Sequence, residues 1–175
     1  MIRIQITDGT ALEDESRWLA TLRRDVDYIQ VREREASTRD LSRLVRAAMK
    51  IAPVLVNDRA DVALACGAAG VHLRANSIAP AEAKRLGPLI VSVSCHSAEE
   101  VEAAEGADYA VLAPVFRPLS KDDSRRPLGL AELQRICRQA RIPVIALGGI
   151  TAANAMQCMQ AGAAGIAAIT LFQRP

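Results

Sequence analysis

The sequence is poor in aromatic residues. Trp18, Tyr28, Tyr109, Phe116 and Phe172 make up 3% of its 175 residues, too few for a platform on which single-stranded nucleic acid stacks its bases. An excess of one charge is missing too. Against 20 acidic residues stand 22 basic ones, a formal net charge of +2, which excludes a strongly basic chain and leaves room only for a local patch. No apolar run approaches the roughly 18 residues of a membrane span, and the opening MIRIQI is too short and too polar for a secretory signal. Neither nucleic acid nor membrane is therefore expected as a partner. The cysteines, Cys66, Cys95, Cys137 and Cys158, form no CxxC pair and no zinc spacing. They read as reduced thiols, with a cytoplasmic location. A GxGxxG dinucleotide fingerprint is also lacking.

What is present is a globular balance of 50% hydrophobic and 24% charged residues, which excludes wholesale disorder. A single domain over residues 1–175 is expected, long enough to bury roughly 70% of its unfolded surface without a disulfide or metal. Eight short apolar runs have the length of buried parallel strands. They are Ile2 to Ile6, Asp27 to Arg32, Pro53 to Val56, Gly70 to Leu73, Ile90 to Ser94, Tyr109 to Leu112, Pro143 to Leu147 and Gly165 to Ile169. Amphipathic stretches lie between them, with stripes at Leu41, Leu44, Val45, Ala48 and Met49, and at Leu130, Leu133, Ile136, Cys137 and Ala140. Ser97 to Glu100 is a capping-box pattern, and Ser37 and Thr151 stand at N-cap positions. CGAAGV at Cys66, EGADYA at Glu105 and AGAAGI at Ala161 repeat one joint, in which a helix ends on glycine and a strand begins two residues on.

Eight strands joined this way predict an α/β fold, a compact (β/α)8 TIM barrel, in preference to an open doubly wound sheet. Leu171 to Pro175 cannot form a full final helix, so the last outer helix is predicted to be missing or vestigial. The apolar surface this leaves beside strands eight and one predicts a homo-oligomer.

In such a barrel the chemistry sits at the C-terminal strand ends. Gly148-Gly149-Ile150 would let backbone amides and a following helix N-terminus approach a phosphate beside Ala168, Ile169 and Thr170; the alternative is a plain tight turn. Arg32 and Arg34 could hold a phosphate or diphosphate through forked hydrogen bonds, or form an ion cluster with Glu33 and Asp58. Asp58 is a candidate Mg²⁺ ligand, although the loop after strand four offers only Asn76 and Ser77 as further oxygen donors. His72, inside a strand, reads as a structural histidine. His96 either titrates near neutrality or caps the helix opening at Ser97. Cys95 has no third group to orient it as a nucleophile. Lys121 lies in the longest polar stretch, Arg117 to Pro127, a lid or a surface loop.

From Ile4 to about Phe172 the chain resembles the thiamin phosphate synthase/TenI superfamily, closest to its TenI-like members. The resemblance is carried by ITD at Ile6, IQVRER at Ile29, NDR at Asn57, GVHL at Gly70, VSCH at Val93, ADY at Ala107, PVF at Pro114, LG at Leu128 and IPVIALGGI at Ile142. It implies a (β/α)8 barrel. For the synthase it implies a reaction in which hydroxymethylpyrimidine diphosphate loses pyrophosphate with Mg²⁺ help and the pyrimidine cation is captured by thiazole phosphate. On that reading Gln30, Arg32 and Asn57 hold the pyrimidine diphosphate, with Arg34 where the synthase usually has lysine. Asp58 binds Mg²⁺, and Ser94 and Lys121 contact the pyrophosphate. Gly148, Gly149 and the strand-eight end hold the thiazole phosphate.

There are departures. The second Mg²⁺ aspartate aligns with Ser77, its neighbouring glutamine with Ala75, and two lid threonines with Pro118 and Ser120. The TenI tautomerases isomerise a thiazole carboxylate phosphate with a histidine after strand six, where this chain has Pro114; His96 is then the first candidate base. The resemblance therefore implies a synthase, a TenI-like tautomerase, or a barrel that binds thiamin phosphate without turnover.

Overall fold

The computed structural model describes residues 1–117 and 125–173. Eight strands alternate with eight helices: β1 Ile2–Ile6, α1 Glu15–Thr21, β2 Tyr28–Val31, α2 Thr38–Ala48, β3 Val54–Asn57, α3 Ala60–Cys66, β4 Gly70–Leu73, α4 Pro80–Leu86, β5 Ile90–Cys95, α5 Ala98–Ala103, β6 Tyr109–Leu112, α6 Gly129–Gln139, β7 Val144–Leu147, α7 Ala155–Gln160, β8 Gly165–Ala168 and α8 Thr170–Gln173. Every strand pairs in parallel with its neighbours in chain order. β1 pairs with β8 and closes the barrel. The strands predicted from the apolar runs are all present, with ends shifted by no more than two residues.

Two layers of packing hold it together. Ile4, Ile6, Leu55, Val111, Ile145 and Ala167 fill the barrel interior. The opposite strand faces, among them Ile29, Val56, Val91, Leu112 and Ala146, meet the helix stripes Leu41, Leu44, Val45 and Leu133, Ile136 in a second, larger core. This is why the strands read as continuous apolar runs: both of their faces are covered. The repeated joints behave as expected, with Gly67, Gly106 and Gly162 at φ of 70°, 94° and 93°.

Ser37 and Ser97 cap their helices, accepting from the backbone N–H groups of Asp40 and Glu100 at 3.1 and 3.3 Å. Thr151 is not a cap. The Asn154 side chain folds back to accept from the Thr151 N–H at 2.8 Å, residues 152–154 form a turn, and α7 starts at Ala155 with Asn154 before it. The last helix is vestigial, a single turn. Its Phe172 is nonetheless buried in the main core, with the Arg3 guanidinium 5.4 Å from its ring centre, and Gln173 donates to Asp8 at 2.7 Å. This one turn covers apolar surface that was expected to lie bare beside β8 and β1.

Candidate active site

Closing the barrel brings its polar strand ends together. Inside the mouth, the Gln30 amide donates to Asn57 Oδ1 at 3.2 Å, joining the ends of β2 and β3. Just beyond β2 the chain turns Glu33 inward. The Thr7 hydroxyl donates to Glu33 Oε1 at 2.7 Å and the Ala11 N–H to Oε2 at 3.2 Å. Thr7 also accepts from the Arg32 N–H at 2.9 Å. Glu33 thus ties the β1 loop to the β2 loop, and among the described residues the ion cluster of Arg32 and Arg34 with Glu33 and Asp58 does not form. The Arg32 and Arg34 side chains are left without an ion-pair partner among the described residues. Burial, and then the like charge of Arg34, hold the Arg32 guanidinium below its ordinary value, with Glu33 offsetting part of the effect. A bound anion would relieve both costs.

His72 is buried between two hydroxyls, Nδ1 to Ser92 Oγ at 2.9 Å and Nε2 to Ser94 Oγ at 2.8 Å. Burial, and then the charge of Arg32, push it down to about 4, although Asp58 pulls the other way. It is a neutral structural histidine that orients Ser94, as its position in the strand predicted. The Cys95 thiol is buried and donates to the Glu100 carbonyl at 3.5 Å. Burial, and then Glu100, push it up to about 12, which excludes a thiolate nucleophile near neutrality. His96 Nδ1 lies 2.9 Å from Glu100 Oε2, which also accepts from the His96 N–H at 2.7 Å.

After β7, Gly148 and Gly149 take φ of 97° and 62°. A Cβ on Gly149 would lie 2.4 Å from the Arg117 carbonyl oxygen, and one on Gly148 2.7 Å from Pro114 Cα. Here it is the loop after β6 that excludes side chains. The amides of Gly149 and Ile150 donate to no described residue, so they remain available to an anion. The helix N-terminus expected behind them is absent, because α7 begins five residues later.

These groups surround a cavity of about 420 Å³. Of the residues predicted to form the site, Gln30, Arg32, Arg34, Asn57, Ser94, His96, Gly148, Gly149, Ala168, Ile169 and Thr170 line it. Lys121 lies outside the described residues. Asp58 does not line the cavity; it faces a neighbouring depression with Arg74 and Ser77. The lining residues that sequence reasoning missed are chiefly Arg74 and Arg125. Arg74 stands as a charge at the end of β4, the signal that marks it in the sequence.

The expected Mg²⁺ on Asp58 can be tested against its donors. Asp58 stands at φ 57°, unusual for a residue other than glycine. Its Oδ2 accepts from Arg74 Nε at 2.6 Å and also pairs with Nη2, and its Oδ1 accepts from the Ser77 hydroxyl. Burial pushes this carboxyl up, but the bonds from Ser77 and Arg74 hold it below its ordinary value overall. Both oxygens are engaged, and among the described residues no three His, Cys, Asp or Glu side chains cluster to hold a metal. A hard cation drawing on one or two carboxylates does not fit this arrangement.

Fold and mouth together define a (β/α)8 barrel with arginines and open backbone amides around its mouth. The TMP-TENI family, thiamine monophosphate synthase, matches residues 4–172. The thiamine-phosphate synthase of Methanoculleus marisnigri is 44% identical over 153 residues, covering 82% of this chain and 72% of its own. That of Chloroflexus aurantiacus is 42% identical over 152 residues, covering 81% and 69%. A solved thiamine phosphate pyrophosphorylase from Pyrococcus furiosus superposes with a TM-score of 0.83 at 33% identity, over 97% of this chain and 85% of its own. The chain belongs to the thiamine monophosphate synthase family.

Proposed function

We propose that this barrel is a thiamin phosphate synthase, coupling hydroxymethylpyrimidine diphosphate to thiazole phosphate with release of pyrophosphate. The observation that carries the reading is the convergence of Gln30, Arg32, Arg34, Asn57 and Ser94 with the Gly148–Gly149 turn around one cavity. In the reaction the bond between the pyrimidine methylene carbon and the diphosphate oxygen breaks, and the electron pair leaves with pyrophosphate. The thiazole nitrogen then donates its lone pair to that carbon.

The barrier is mainly one of charge, so fixed cationic donors near the leaving group accelerate the step. Arg32 and Arg34 supply forked donors to the diphosphate. Gln30 and Asn57, linked to each other, orient the pyrimidine. Ser94, held by His72, and Lys121 act at the pyrophosphate. The open amides of Gly149 and Ile150, with the Ala168–Thr170 segment, take the thiazole phosphate. A cytoplasmic location and self-association belong to the same proposal; the exposed side chains of Leu12, Ile78, Leu86 and Met156 support the latter.

One observation favours a second reading, a TenI-like tautomerase. The His96 ring lines the cavity with Glu100 on its Nδ1, the arrangement of an oriented general base. Thiochrome fluorescence on the purified protein, supplied with both substrates, separates the readings. Thiamin phosphate is the expected product. Absence of product with the folded protein still binding thiamin phosphate would overturn the synthase reading and leave the tautomerase or a non-catalytic binder.

A further inference from the structure

Among the described residues the charged groups lining the cavity are all of one kind: Arg32, Arg34, Arg74 and Arg125 line it, and no described aspartate or glutamate does. A metal-assisted diphosphate site needs carboxylates between the cation and the protein. Here Asp58, the carboxylate expected to hold the metal, already holds a cation of its own, the Arg74 guanidinium. That pairing is built into the backbone. The Asp58 N–H donates to the His72 carbonyl at 2.8 Å, which joins the ends of β3 and β4. Arg74 and Ser77 close a turn on each other, with the Ser77 N–H donating to the Arg74 carbonyl at 3.0 Å and the Arg74 N–H to Ser77 Oγ at 3.1 Å. The same Ser77 hydroxyl donates to Asp58 Oδ1. Three residues thus fix one guanidinium where the cavity meets the β4 loop.

We infer that this chain binds a diphosphate without a divalent cation, the Arg74 guanidinium fixed by Asp58 and Ser77 standing at the mouth as a cationic hydrogen-bond donor in the place that a metal on Asp58 would otherwise take. The inference rests on the proposed diphosphate substrate. A guanidinium suits the task because it is permanently charged and planar; with Nε and Nη2 turned to Asp58, its Nη1 end is left to donate to a phosphate oxygen. Asp58 is then a positioning residue for Arg74. The ligand class follows from the cluster, an organic diphosphate or pyrophosphate whose oxygens reach Arg74 and the Arg32–Arg34 pair.

Calorimetric titration of the full chain with inorganic pyrophosphate tests this, once in excess chelator and once in millimolar Mg²⁺. The expected result is binding in chelator that Mg²⁺ does not tighten. Arg74→Gln is expected to weaken it about tenfold in chelator, the scale of one charge-assisted phosphate contact. Arg74 is exposed, so an unchanged melting temperature for Arg74→Gln verifies its fold. Asp58→Asn is expected to weaken binding to a lesser degree and to create no dependence on Mg²⁺. Binding that requires Mg²⁺, or is tightened by it about threefold or more, would overturn the inference, as would an Arg74→Gln variant that binds like the parent. The outcomes are separable from those of the synthase reading. Thiamin phosphate formation with Mg²⁺-dependent pyrophosphate affinity removes this inference alone, whereas metal-free pyrophosphate binding without product removes the synthase alone.

Discussion

Replacing His72 by glutamine tests the burial of the mouth's central polar group through pH. In the folded chain His72 titrates at about 4, against an ordinary value of 6.5. Below pH 6.5 the unfolded chain therefore takes up a proton that the folded chain refuses. The stability this group contributes is present above that value and is lost as the pH falls towards 4. Integrating the proton difference from pH 7 to pH 4.5 gives about 2 kcal/mol lost to this one residue. Glutamine does not titrate but still offers a donor and an acceptor to Ser92 and Ser94. At pH 7 the variant is expected to be less stable by about 1 kcal/mol, through imperfect packing and hydrogen bonding. As the pH falls to 4.5 the deficit closes and reverses, because only the parent loses the His72 contribution, while the carboxylates that titrate in both proteins cancel in the difference. Urea unfolding followed by fluorescence of Trp18, the single tryptophan and 1% exposed, measures both proteins in the same buffers. A stability difference that stays constant from pH 7 to 4.5 would refute the assignment of His72 as a buried neutral imidazole.

Two further predictions concern the glycine turn and the last helix. Gly67→Ala and Gly149→Ala meet similar backbone angles, 70° and 62°, but a Cβ at Gly67 has nothing within 4 Å while one at Gly149 collides with the Arg117 carbonyl. Thermal melts are expected to show a cost of about 1 kcal/mol for the first and at least twice that for the second, and equal costs would reject the packing account of the turn. Phe172→Ala uncovers the surface that α8 closes beside β1, so light scattering at rising concentration is expected to give a larger average mass for the variant than for the parent; identical masses would show that this surface does not drive association.

The barrel was legible because its signals are local. Eight β-branched runs, two helix stripes and three helix–Gly–strand joints each depend on residues within a few positions, and the closed order β1 to β8 follows from counting them. Ser37 and Ser97 were readable as caps for the same reason. Thr151 was not, because Asn154, three residues on, offers a competing acceptor and the chain spends one more turn before α7 begins. The glycines of the β7 loop line the cavity, and the sequence around them explains only part of why they are glycines. A local reading of two glycines before a helix suggests an approaching phosphate; the structure adds Pro114 and Arg117 against them, a contact between two loops that no local pattern carries.

The same distinction separates the polar residues of the mouth. Strand ends supplied their identities, and the barrel geometry placed most of them around one cavity. What each one touches was not written locally. Glu33 could have paired with either neighbouring arginine, yet two donors on the β1 loop capture it and leave both guanidiniums to the cavity. Asp58 could have held a metal, yet its partner lies sixteen residues on at the end of the adjacent strand. In parallel strands the end of one is brought beside the end of the next by register alone, here Asn57 beside His72. That register carries Arg74, two residues past His72, to the carboxylate that follows Asn57. The charge at this mouth is therefore decided by pairing between strands, which is why reading Asp58 as a lone carboxylate pointed to a metal and seeing it beside Arg74 points to an arginine.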